Sequence, residues 1–292
     1  MLTVADLQRI AQAEMSTLPI EESERQAELE LIVLHLSGLS LSERFREPER
    51  VLDDRVLDSL QQIIERRKQR EPIQYCLGEA YFFGRKFAVR QGVLVPRADT
   101  EILLEAANKY AAKNLTDNSL IGEIGIGTGI ISISVLSEHP HLIASACDIS
   151  AEAINVAEEN ALRHGVVDRL RLFSCDWMEW LEQEGKSLNL LLSNPPYIPF
   201  MQKQELAPEV RDWEPELALF GGEDGLAFYR RLAAVASRML SGETPIFLEI
   251  GLGQADLVRD IFAKYDWCLT AVHKDLGGID RVLCFAQKNC LF

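Results

Sequence analysis

The chain has 292 residues, enough for one large domain and a small one. Its 47% hydrophobic and 26% charged residues are those of a water-soluble globular protein rather than a disordered or membrane-embedded one. A formal net charge of −15 repels phosphate and argues against tight non-specific binding to nucleic acid. Cys76, Cys147, Cys175, Cys268, Cys284 and Cys290 form no C-x-x-C pair and several sit in apolar runs, so they read as reduced core residues rather than a disulfide frame or a zinc site. His139 and His141 flank Pro140 in a turn, without metal-ligand spacing, and no metal is expected. The N-terminus has no basic or apolar leader and no apolar run reaches membrane length, so a cytoplasmic protein is expected, acting as a monomer and with no membrane partner.

Residues 1–72 read as helices. Thr3 and Asp6 form a capping-box pattern ahead of Leu7, Ile10 and Ala11. A second helix is expected from Ser23 to Leu36, ending at Gly38. A third runs from Val51 to about Lys68, with Val56, Leu57, Leu60, Ile63 and Ile64 inward. The basic run from Arg66 to Arg70, just before Pro72, suits the solvated last turn of that helix better than a nucleic-acid patch. No catalytic constellation occurs here, so the segment reads as a small partner-recognition domain. Residues 73–95 carry a short hairpin around Gly84-Arg85 and form a linker. Next, Val95-Pro96-Arg97-Ala98-Asp99-Thr100-Glu101 leads into a helix from Ile102 to Lys113, for which Asp99 or Thr100 is a ready N-cap.

From about residue 119 strands alternate with helices. Strands are expected at 120–124, 142–147, 170–174, 188–193, 246–250, 268–273 and 281–285, the last two joined by a hairpin at Gly277-Gly278. That is an α/β fold: a seven-stranded, mostly parallel, doubly wound sheet over residues 96–292, with a terminal antiparallel hairpin and the helical domain in front.

Two turns of this sheet carry chemistry. The first, Glu123-Ile124-Gly125-Ile126-Gly127-Thr128-Gly129, is a strand-to-helix turn that a ligand approaches closely. Ile130 stands where a P-loop needs lysine, and the spacing G-x-G-x-G fits a dinucleotide turn poorly. The pattern resembles motif I of Rossmann-like methyltransferases that bind S-adenosylmethionine. Asp148, at the end of the second strand, suits two ribose hydroxyls; its plainer role is a helix cap, for which Ser150 is better placed. Asp176 and Trp177, at the end of the third strand, suit adenine: a carboxylate to accept from the amino group and an aromatic to pack on the ring. Glu123 reads as a cofactor-positioning acid rather than a base.

The second turn is Asn194-Pro195-Pro196-Tyr197, at the carboxyl end of the fourth strand, where open α/β sheets place ligands. A planar nitrogen is a poor nucleophile because its lone pair is delocalised. Two acceptors holding its two hydrogens bias the lone pair toward an electrophilic methyl group. The Asn194 side-chain oxygen is one such acceptor and the Pro195 carbonyl the other. The prolines stiffen the turn, and Tyr197 offers a flat face to a planar amide or base. Taken alone, these four residues are equally well an ordinary strand-to-loop turn.

Taken together, these motifs resemble the release factor glutamine methyltransferases, over nearly the whole chain. The match includes Pro72 to Tyr75, Leu77 to Glu79, Val95 to Arg97 with Thr100-Glu101, the glycine turn and Ser193 to Ile198. It continues through Val210-Arg211, Glu214-Pro215, Ala218-Leu219, Gly221 to Gly225, Leu248 to Gly251 and Lys274 to Leu276. The resemblance implies S-adenosylmethionine as methyl donor, with S-adenosylhomocysteine as product. It implies a release factor as protein substrate, methylated on the glutamine of its Gly-Gly-Gln tripeptide, and a docking role for the helical domain. Gly125 to Gly129, Asp148 and Trp177 would hold the cofactor. Asn194 and Pro195 would bind the amide, with Pro196 and Tyr197 completing the catalytic pocket. One departure is Ile126, where relatives commonly carry a small or polar residue. Gly278 to Arg281 is a loose version of the closing motif. Two other functions share these motifs: an adenine amino-methyltransferase acting on nucleic acid, and a non-catalytic cofactor-binding scaffold. Against the first, residues 205–224 hold seven acidic side chains and one basic, Arg211, which would repel phosphate if they border the pocket.

Overall fold

The computed structural model describes residues 1–53, 55–181 and 187–288; Cys290 lies outside them. The chain divides into two compact units: residues 1–79 with Pro208–Trp213, and residues 80–207 with 214–292.

The first unit is helical: α1 (Val4–Met15), α2 (Glu22–Ser37), α3 (Leu41–Arg46), α4 (Arg55–Lys68) and α5 (Ile73–Leu77). Thr3 and Asp6 cap α1 reciprocally as expected, and α2 ends at Gly38 in the left-handed conformation. Leu7, Ile32, Val33, Leu60 and Ile64 meet in one core. The third expected helix starts later than its pattern indicated, because Val51 pairs as a β-bridge with Thr3. Leu57 faces outward, at 39% exposure. The basic run is a solvated turn only in part: Lys68 and Gln69 are exposed, but Arg67 is not. Arg67 is fully buried, donating to Glu28 at 2.8 and 2.9 Å and to Glu209 at 3.2 and 3.3 Å. Glu209 lies on the helix Pro208–Trp213, which packs with this unit and also pairs with Arg70 at 2.7 Å.

The second unit opens with a hairpin, β1 (Glu79–Phe82) and β2 (Arg85–Ala88), then α6 (Thr100–Asn114). The sheet follows: β3 (Leu120–Ile124), β4 (Ile143–Asp148), β5 (Leu170–Ser174), β6 (Leu190–Ser193), β7 (Ile246–Glu249), β8 (Trp267–Lys274) and β9 (Asp280–Gln287). Their order is β5-β4-β3-β6-β7-β9-β8, with β9 antiparallel to both neighbours and the rest parallel. Every residue of β3, β6 and β7 is buried, as expected of central parallel strands covered on both faces. One face packs on α6, α7 (Ile130–Glu138) and α8 (Ala151–Arg163) through Leu103, Leu104, Ile131, Leu136 and Ala157. The other packs on two later helices, α9 (Ala227–Met239) and α10 (Ala255–Ala263), through Tyr229, Leu232, Val258 and Phe262. Each fully buried Leu or Phe contributes about 1.5–3 kcal/mol. Strand order reverses at β3, between β4 and β6, and a crevice forms at the carboxyl ends there. The glycine turn leaves β3 and Asn194 follows β6, so the topology brings the two motifs together.

Candidate active site

A cavity of about 270 Å³ occupies this crevice. Glu123, Gly125, Ile126, Gly127, Thr128, Asp148, Asp176, Trp177, Asn194 and Pro196 line it. Gly129, Pro195 and Tyr197 are not among the lining residues.

Gly125, Gly127 and Gly129 all have positive φ (76°, 54° and 82°), conformations that side-chain-bearing residues rarely adopt. The turn is braced from three directions. The N–H groups of Gly125 and Ile126 donate to the Cys147 carbonyl at 2.9 and 3.0 Å. Asn160, fully buried, donates to the Thr128 carbonyl at 2.9 Å. Asp148 accepts from Gly127 N–H at 3.0 Å and from Ser150 N–H at 2.9 Å. Ser150, not Asp148, caps α8 with its side chain. Burial raises the Asp148 carboxyl above its ordinary value. Ile126 is buried in the core beside the turn and also lines the cavity.

Glu123 is completely buried at the cavity wall. One oxygen accepts from Ser132 N–H at 2.9 Å and from the Ser132 hydroxyl. The other has no hydrogen-bond partner among the described residues, and burial pushes the carboxyl up to about 8. Such an oxygen calls for a donor or cation from a ligand, which fits the amino and sulfonium groups of S-adenosylmethionine. Trp177 is 5% exposed and also has an unpartnered ring N–H. Phe228 stacks on it at 4.8 Å, and the Arg231 guanidinium lies 4.1 Å over it while pairing with Asp176 at 2.8 Å. Asp176 thus meets the cavity as one half of an ion pair.

On the acceptor side, Asn194 Nδ2 donates to Thr100 Oγ1 at 2.9 Å, which leaves Oδ1 as the other end of that amide. Thr100 is not an N-cap; it lies inside the first turn of α6, and Asp99 makes no side-chain cap either. The pairing of β6 ends at Ser193, so the Pro195 carbonyl lies beyond the ladder. The Tyr197 hydroxyl reaches the buried Glu249 carboxylate at 3.4 Å, and burial raises the phenol well above its ordinary value. Arg97 lines the cavity, held by Glu214 at 2.5 Å; the other Glu214 oxygen accepts from Val95 N–H at 3.3 Å.

Backbone packing holds the Asn-Pro-Pro-Tyr turn. Ile198 and Phe220 form a parallel bridge, and Gly221 N–H donates to the Ile198 carbonyl at 3.0 Å. A Cβ at Gly221 would stand 2.5 Å from the Pro196 carbonyl oxygen, and one at Gly225 would overlap the Tyr197 carbonyl. Gln254 donates to that Tyr197 carbonyl at 2.9 Å.

Several lining residues escaped sequence reasoning: Gly92 to Leu94, Pro215, Leu217, Ala218 and Phe228. Pro215 and Ala218 lay within matched segments, while Gly92 to Leu94, Leu217 and Phe228 lay outside them and carried no signal of their own. The acidic loop also differs from its expected field. Five of its seven acids are in ion pairs: Glu209 with Arg67 and Arg70, Asp212 with Arg211, Glu214 with Arg97, Glu216 with Lys203, and Asp224 with Arg230. Repulsion of phosphate by this loop is correspondingly weaker than its letters imply. Among the described residues no cluster of three or more His, Cys, Asp or Glu side chains could hold a metal, and no helix is long and apolar enough to cross a membrane.

The fold has counterparts among solved structures. The chain is similar to a methyltransferase from Pyrococcus furiosus at 15% identity and TM-score 0.50, covering 70% of this chain and 90% of that one. It is also similar to the hMettl16 catalytic domain in complex with MAT2A 3'UTR hairpin 6, at 11% identity and TM-score 0.54, covering 80% and 82%. The seven-stranded sheet with its antiparallel end is the S-adenosylmethionine-dependent methyltransferase fold. Residues 6–78 match the family model of the PrmC N-terminal domain, and 98–211 that of the methyltransferase small domain. A release factor glutamine methyltransferase of Geobacter sulfurreducens is 37% identical over 86% of this chain and 84% of its own length. One from Nitratidesulfovibrio vulgaris is 35% identical over 90% and 88%. The chain belongs to the release factor glutamine methyltransferase family. It also matches a bifunctional methyltransferase of Rickettsia bellii, at 35% identity, and spans about half (50%) of that longer relative.

Proposed function

We propose that this protein transfers a methyl group from S-adenosylmethionine to the side-chain amide nitrogen of the glutamine in the Gly-Gly-Gln tripeptide of peptide chain release factors. The observation that carries the reading is Asn194: its Nδ2 is occupied by Thr100, so Oδ1 is free to accept at the cavity. When bound, S-adenosylmethionine supplies an electrophilic methyl on a sulfonium. The chain's own groups do the rest. Gly125 to Gly129, Asp148, Asp176 and Trp177 seat the cofactor, and Glu123 orients it. Asn194 Oδ1 and the Pro195 carbonyl hold the two amide hydrogens, so that the lone pair points at the methyl. Pro196 and Tyr197 keep the turn in place. The helical unit is the docking module for the release factor, and the cytoplasm is the compartment where that partner works.

Adenine in nucleic acid presents the same planar nitrogen, and the ion-paired acidic loop leaves charge a weak discriminator. The test is label transfer from S-adenosylmethionine to three acceptors: a bacterial release factor, the same factor with the Gly-Gly-Gln glutamine replaced, and duplex DNA. Label in the first alone is expected; label in DNA would replace the protein substrate by adenine, and label in none would leave a scaffold. In the same assay Asn194→Ala is expected to abolish transfer while sparing cofactor affinity in equilibrium titration. Parallel loss of both would remove Asn194 from the acceptor side.

A further inference from the structure

The turn that carries Asn194 and Pro195 must hold two acceptors to the spacing of one amide's two hydrogens, and neither of its prolines has an N–H with which to tie itself down. Its entrance is held at Asn194, whose Nδ2 donates to Thr100 at 2.9 Å. Its exit is held by a side chain from the loop beside it. Strands β6 and β7 run parallel, with Ser193 next to Leu248. Their chains leave the sheet together, one into residues 194–197 and the other into residues 250–254. Gln254, 8% exposed, stands at the N-cap position of α10 yet makes no side-chain cap there. Its Oε1 accepts from Gly251 N–H at 2.9 Å, and its Nε2 donates to the Tyr197 carbonyl at 2.9 Å. An N–H can only donate and a carbonyl can only accept, so these two backbone partners allow one orientation of the amide. The Gly251 carbonyl in turn accepts from Gln254 N–H at 3.2 Å, which closes the loop on itself. The surroundings leave little slack. A Cβ at Gly251 would stand 3.0 Å from both Gln254 Oε1 and the Tyr197 ring, and one at Gly225 would stand 2.9 Å from Gln254 Nε2.

We propose that Gln254 is a positioning residue of the methyl-acceptor site: by holding the Tyr197 carbonyl it fixes the exit of the Asn-Pro-Pro-Tyr turn, and with it the place of the Pro195 carbonyl relative to Asn194 Oδ1. The proposal rests on the reading of that turn given above. Gln254 is not part of the cavity wall, so it acts through the turn rather than on a ligand. Only Pro196 separates Pro195 from Tyr197, and its ring fixes φ. A displacement at Tyr197 is therefore passed back to the Pro195 carbonyl rather than absorbed between them. The groups that seat the cofactor follow other strands: the glycine turn leaves β3, Asp148 ends β4, and Asp176 and Trp177 follow β5. Loss of the Gln254 bond should therefore fall on the transfer step and spare cofactor binding.

The experiment uses the full chain and two variants of nearly unchanged shape. Gln254→Met removes both side-chain bonds. Gln254→Glu keeps an acceptor for Gly251 but sets a second acceptor against the Tyr197 carbonyl, so it separates the two bonds. Turnover is measured with a bacterial release factor and labelled S-adenosylmethionine at about pH 9, where the introduced glutamate is ionised. Cofactor affinity is measured by calorimetry, the thermal midpoint by circular dichroism, and the Asn194 side-chain amide resonances by NMR. Gln254→Met is expected to lower kcat about 10- to 100-fold while KM and cofactor affinity stay within about threefold. Gln254→Glu is expected to lose more turnover than Gln254→Met, although it keeps the Gly251 bond. The Asn194 resonances are expected to move in both variants, while the N–H resonances of the glycine turn stay in place. Turnover in Gln254→Glu within about twofold of wild type overturns the proposal, because the Tyr197 bond would then position nothing. A fall in cofactor affinity equal to the fall in turnover also overturns it, as does unfolding of both variants at the assay temperature; either would make Gln254 a residue of the fold alone. If wild type labels no release factor, the substrate reading fails, and the Asn194 resonances still decide the positioning role: unmoved in both variants, they overturn it.

Discussion

Asp148 shows how one carboxylate serves two ends. Its oxygens already hold the N–H groups of Gly127 and Ser150. Asp148→Ala should therefore loosen the glycine turn as well as remove the proposed ribose partner. Calorimetry is expected to show cofactor binding weakened by about 1.5–3 kcal/mol; unchanged affinity would reduce Asp148 to a brace. Glu123 and Glu249 make a second residue-scale prediction. Burial raises them to about 8 and about 7 from the ordinary 4.5, so the folded state binds more protons than the unfolded one between those values. Their contribution to stability is present below about pH 4.5 and is lost as pH rises through 7 to 8. Urea denaturation should show stability falling as pH rises from about 4.5 to about 8, with the fall flattened in the Glu123→Gln, Glu249→Gln double variant. The sequence displayed Asn194 and Asp148 plainly, because each stands at the end of an apolar strand. It could not display Thr100 as the partner of Asn194. A threonine before a helix reads as a cap, and only the tertiary fold brings it across 94 positions.

At the scale of elements, the legible parts were those long enough to show a period or closed by a turn signal. The helices α1 and α2, the seven strands and the glycine turn belong here. The short helices α3, α5 and Pro208–Trp213 span five or six residues, too few for helical spacing to stand out. The Gly221 to Gly225 segment was matched by resemblance, and the structure supplies its physical reason: its backbone lies against the carbonyls of Pro196 and Tyr197. Gly225, at φ 76°, has no room for a methyl group. Gly225→Ala should displace the Asn-Pro-Pro-Tyr turn, costing about 1–3 kcal/mol of stability and most of the turnover, while cofactor titration changes little. A variant that transfers normally would mean the turn holds without this contact.

For the whole molecule, composition and charge misplaced the acids, because letters do not show which cations fold back onto them. Arg67 is the sharpest instance, a residue in a basic run that became the most enclosed charge of the helical unit. Arg67→Ala would leave Glu28 buried without its cation and Glu209 with Arg70 alone, and should cost about 3–5 kcal/mol in a denaturant titration. A change below about 1 kcal/mol would mean that the acids find water instead. The segment Pro208–Trp213 has a further consequence. It belongs to the helical unit, although 128 residues of the other unit separate it from Glu79. The two units are therefore not beads on a string. A gene fragment ending near residue 79 encodes a helical unit lacking Glu209. Swapping that fragment between relatives would graft Arg67 and Arg70 onto a foreign counter-charge. Recombination and synthetic chimaeras should tolerate such exchanges only when residues 208–213 travel with the amino-terminal fragment.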